Sequence, residues 1–189
     1  YISYTEEHPI TMNPFRIQKE ELNVEKTDFL KNLIMLIWKG NEAVPTKIEE
    51  LLIEQVIKEY YEAYFEGFKG YSKDQRDALH KKLLIETASE NKPTDTNDDV
   101  EQRIQTRIKE MEERRKALKV EELSFNSFYE YSTERIPYIC SENRITGIDI
   151  STYNYSLMEF YKGGTYERTL NENIDALSLI HISEPTRLD

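Results

Sequence analysis

Two consecutive runs of apolar residues at three- and four-residue spacing constrain this chain more than any other feature. In the first, Phe29, Leu30, Leu33, Ile34, Ile37 and Trp38 line one side of a helix predicted from about Val24 to Lys39. Gly40 follows as its stop, because a residue without a Cβ enters the left-handed region that ends helices. In the second, Ile48, Leu51, Leu52, Val56, Ile57, Tyr60, Tyr61, Tyr64 and Phe65 form a wide apolar face that ends at Gly67. Thr46 and Glu49 stand at its start with capping-box spacing, where hydroxyl and carboxylate satisfy free backbone N–H groups. Faces this wide demand a partner, and the two are expected to bury each other.

What precedes and follows them differs. Tyr1 to Phe15 reads as extended, since Tyr1-Ile2-Ser3-Tyr4 is β-type and Pro9 and Pro14 interrupt any helix. From Ser72 to Glu122 the chain is highly charged and poor in aromatics. Ser72 with Gln75 predicts a helix to about Ser89, and Asn91 to Asp98 reads as a loop. A long helix is predicted from about Asp99 to Lys119. Its apolar residues Val100, Ile104, Ile108, Met111 and Leu118 make only a thin stripe, fit for one packing partner. The pattern predicts a projecting helical hairpin over 72–122.

Aromatic residues return at Phe125. Ser127 and Glu130 suggest a cap for a helix that runs to about Arg135, before Pro137. Ser151 opens a last helix, predicted to end at Gly163-Gly164. The closing run from Leu177 to Arg187 resembles a translated sequencing-library adaptor, so residues 177–189 are expected to be a non-native tail outside the fold. With Tyr1 in place of an initiator Met, the chain is expected to be a fragment.

Charge and motifs bound the function. The 189 residues carry 36 acids against 25 bases, a net charge of −11, with no long basic stripe to neutralise phosphates. Direct nucleic-acid binding is therefore not expected. No stretch reaches the roughly 18–20 apolar residues of a membrane span. One cysteine, Cys140, excludes an intrachain disulfide framework and fits a reducing compartment. The sequence contains no G-x-x-x-x-G-K-[ST], H-E-x-x-H, G-x-S-x-G or C-x-x-C. The pairs Glu49-Glu50 and Glu112-Glu113 follow no hydrophobic strand and read as solvated helix faces. Tyr60, Tyr61 and Tyr64 could stack bases, but packing suits their acidic surroundings better. Asn154-Tyr155-Ser156 is a sequon at chance frequency. No catalytic, cofactor-binding or metal-ligating residue can be named.

Several strings carry more information than any single motif. Tyr4-Thr5-Glu6, Asn13-Pro14-Phe15, Val24-Glu25-Lys26 and Leu36-Ile37-Trp38-Lys39-Gly40 occur in order. They are followed by the run from Leu123 to Tyr131, then Phe160-Tyr161-Lys162-Gly163-Gly164 and the run from Tyr166 to Glu172. Together, over Tyr1 to about Asp175, they resemble the TraG family of conjugative-transposon ATPases, VirB-class motors of type IV secretion. The resemblance implies a mostly α-helical fragment of an α/β RecA-like P-loop ATPase domain, with 72–122 as a helical-hairpin insertion. It places 1–71 near the ATPase core and makes 123–176 an aromatic-rich helical segment. It implies ATP and Mg²⁺ in the parent, though the fragment lies between Walker A and Walker B and is expected to bind neither. It further implies a homo-oligomeric parent working with other conjugation-channel proteins. That parent would sit in the bacterial cytoplasm, peripheral to the inner membrane at its cytoplasmic face. A stand-alone, non-catalytic interaction module, docking through Ile104, Ile108 and Met111, is the alternative.

Overall fold

A computed structural model describes residues 12–41, 43–88 and 96–172. The expected non-native tail and the first eleven residues lie outside them. The chain divides into two compact units. One is built from the residues up to Tyr64 together with those from Val120 onward, and the other from Phe65–Lys119.

The first unit holds α1 (Val24–Lys39), α2 (Lys47–Phe65), α5 (Phe125–Glu142), α6 (Ile150–Met158) and α7 (Glu167–Asn171), after a short 3₁₀ turn at Lys19–Glu21. The chemistry at the ends explains the boundaries of α1 and α2. Asn23 accepts the Lys26 N–H at the start of α1, and Gly40 ends it at φ 71°. The Thr46–Glu49 box closes both ways at 2.8 and 3.3 Å. α1 and α2 are joined at one end by the Lys39–Glu49 ion pair at 2.5 Å. α6 lies against both α1 and α5, and α7 against α5. α2 joins this set through long side chains, with the Tyr60 ring 5.3 Å from Phe128 and 5.7 Å from Tyr131. Bulky aromatics at a contact hold helix axes apart.

The second unit holds α3 (Lys73–Ala88) and α4 (Asn97–Ala117), packed along each other. Ser72 and Gln75 box the start of α3, and Thr96 and Asp99 that of α4. Leu83, Val100, Ile104 and Ile108 form the core. The loop predicted over Asn91 to Asp98 lies mostly outside the described residues.

Four expectations are corrected. No strand or sheet occurs among the described residues, so the α/β RecA-like architecture is not present in them. Every apolar pattern that finds a partner here has the helical period. Asn13 to Arg16 is a turn rather than extended chain, closed by the Arg16 N–H on the Asn13 carbonyl at 3.3 Å. α5 starts three residues earlier than Ser127 suggests, because Ser124 is the cap, and it continues through Pro137 to Glu142. A proline inside a helix costs about 3 kcal/mol. Burial of Ile136, Ile139 and Cys140 beside it offsets that cost. Finally, the helix opened by Asp149 stops at Met158, well before Gly163-Gly164.

Those glycines instead shape a tight reversal that leads into α7. The Tyr166 N–H reaches the Glu159 carbonyl at 2.8 Å, and the Gly164 N–H the Tyr161 carbonyl at 2.8 Å. A Cβ on Gly164 would fall 2.4 Å from the Glu159 oxygen and 2.5 Å from that of Met158. Gly164→Ala is therefore expected to destabilise the first unit by about 1–3 kcal/mol, read as a lower urea midpoint at unchanged slope.

Candidate functional site

Three segments distant in sequence meet at Phe15. The Asn13 side chain builds the turn that presents it: Oδ1 accepts the Phe15 N–H at 3.1 Å, while Nδ2 donates to the Leu123 carbonyl at 2.9 Å. Pro14 presets the backbone angle that the turn requires. The Phe15 ring is 0% exposed. It stacks on Phe128 at 4.9 Å and meets Tyr60 and Phe125 edge-on at 6.2 and 5.9 Å. Its carbonyl accepts the Tyr61 hydroxyl at 2.9 Å. One aromatic residue thus ties the amino-terminal turn to α2 and α5.

Beside this cluster lies a buried ion group. Arg135 of α5 is 1% exposed. Its Nε donates to Glu59 at 2.6 Å, and its two terminal nitrogens donate to Glu142, each at 3.1 Å. Gln55 adds a donor to Glu59 at 3.0 Å. Burial alone would lower the guanidinium pKa, but the hydrogen bonds and charges of Glu59, then of Glu142, hold it above the ordinary range. A planar fork between two carboxylates fixes α2 against α5 with a definite register.

A polar cleft of about 770 Å³ opens near the Asn13 turn, with Arg16, Tyr64, Glu121, Asn126 and Asn171 among its lining residues. Two of its amides, Asn13 and Asn171, serve the fold. Asn171 accepts the Asn126 N–H and donates to the Phe160 and Glu167 carbonyls. Ser124 and Glu122, also in its lining, lie 3.5 Å apart, the serine hydroxyl being the cap of α5. Among the described residues, no group of three or more His, Cys, Asp or Glu side chains could hold a metal ion. No helix among them is long and apolar enough to cross a membrane.

The residues singled out from sequence are mostly structural. Tyr60 and Tyr61 are 0% exposed and hydrogen-bonded, and burial pushes both phenols above their usual range. They offer no base-stacking platform, while Tyr64 lies partly exposed at the cleft. Cys140 is buried and its thiol is raised by that burial, the opposite of an activated nucleophile. Glu49 is not solvated but buried, paired with Lys39 at 2.5 Å. Glu112 is buried as well, accepting the Tyr71 N–H at 3.0 Å and meeting Arg76 at 2.8 Å. Arg115 lies 4.1 Å from the centroid of the Phe68 ring. Ile104 and Ile108 are buried in the core of their own unit, and Met111 is buried as well.

Sequence reasoning missed Phe15 as an anchor and Arg135 as a buried charge. The second was within reach. Phe128, Tyr131, Arg135 and Ile139 share one helical stripe, and a charged residue on such a stripe needs a counter-charge.

Residues 1–71 match the family model described as the TraG P-loop domain. This part of the chain is similar to the TraG family. The match takes in the Asn13 turn, α1 and α2, and ends where Ser72 caps α3. The strings from Leu123 onward lie outside it. No curated protein and no solved structure matches the chain.

Proposed function

We propose that the chain is part of a TraG-type conjugation motor and supplies a helical, non-catalytic region of it. The observation that carries this reading is the family match over residues 1–71, coupled to the burial of Phe15 of that segment among α2 and α5. Because residues 12–64 of the matched segment and residues 120–172 belong to one compact unit, they act as a single mechanical piece. In this reading the parent protein hydrolyses ATP with Mg²⁺ as an oligomer, at the cytoplasmic face of the bacterial inner membrane. The helical region then passes its movements to neighbouring channel proteins. The charged segment 72–122 serves as an inserted hairpin. Docking through Ile104, Ile108 and Met111 is the weaker reading, since opening α3 from α4 would be required to expose Ile104 and Ile108.

A mating assay tests the proposal. Deletion of the gene from a donor is expected to abolish transfer of its element. The wild-type gene supplied in trans restores transfer, and the Phe15→Asp form does not. Undiminished transfer from the deletion strain would overturn the reading. Saturable micromolar ATP binding by the isolated 189-residue chain, measured by titration calorimetry, would overturn the non-catalytic assignment.

A further inference from the structure

We draw no further inference here: the strongest candidate, the polar cleft beside the Asn13 turn lined by Glu21, Glu121 and Glu122 together with Arg16, is an acidic cluster in which no second feature of the described residues points to a ligand.

Discussion

Arg135→Met lowers the unfolding free energy of the first unit by about 3–5 kcal/mol, the usual cost of stripping one partner from a buried ion group. The physical reason is the residue left behind rather than the bond removed. Glu59 and Glu142 face each other across the guanidinium, with side chains almost fully buried. Without Arg135 they would be desolvated like charges, with Gln55 remaining as a donor to Glu59. Native domains hold only about 5–15 kcal/mol in reserve, so the variant is expected to be partly unfolded at 37 °C. Urea unfolding followed by circular dichroism measures the effect. A companion variant sharpens the reading: Glu59→Met, Arg135→Met and Glu142→Leu together should recover most of the loss, since an apolar replacement carries no desolvated charge. A single Arg135→Met costing under about 1 kcal/mol would mean that water reaches the carboxylates.

Phe15→Ala is the second large effect, at about 3–5 kcal/mol for a fully buried aromatic. It removes the ring that Tyr60, Phe125 and Phe128 enclose, and the cavity cannot collapse easily. Tyr60 and Tyr61 are held by their own hydroxyl bonds to the Ser124–Ser127 cap and to the Phe15 carbonyl. Phe15→Leu, which fills much of the volume, should lose less than half as much. The contrast with Tyr64, partly exposed on the same helix, gives a control: Tyr64→Ala should cost under about 1 kcal/mol, as exposed positions do. Equal losses at Phe15 and Tyr64 would show that the aromatic cluster does not organise this unit.

These two residues also mark the limit of what the sequence discloses. Helices with a local signal were legible. The spacing of Phe29, Leu30, Ile34 and Trp38 defined α1, and Gly40 its end, because amphipathic period and cap chemistry act within a few residues. Thr46 with Glu49 and Ser72 with Gln75 announced helix starts for the same reason. Local signals misled where tertiary packing opposed them. Pro137 argued for a helix end, yet α5 runs on because its far half is buried and Glu142 binds Arg135 seven residues back. Gly163-Gly164 read as a helix stop, whereas the close approach of the Glu159 carbonyl is what requires a glycine at 164.

By itself, then, the sequence determined a helical chain with two wide apolar faces, a charged middle and no phosphate-binding or metal-binding motif. Only the tertiary structure decided which faces meet. α1 found α6, α2 reached α5 through Tyr60 and Arg135, and Phe15 closed the core from the amino-terminal side. Periodicity and capping depend on neighbours along the chain. Partner choice depends on how side-chain volumes and buried charges match across separations of 76 residues for Glu59 and Arg135 and 110 for Asn13 and Leu123.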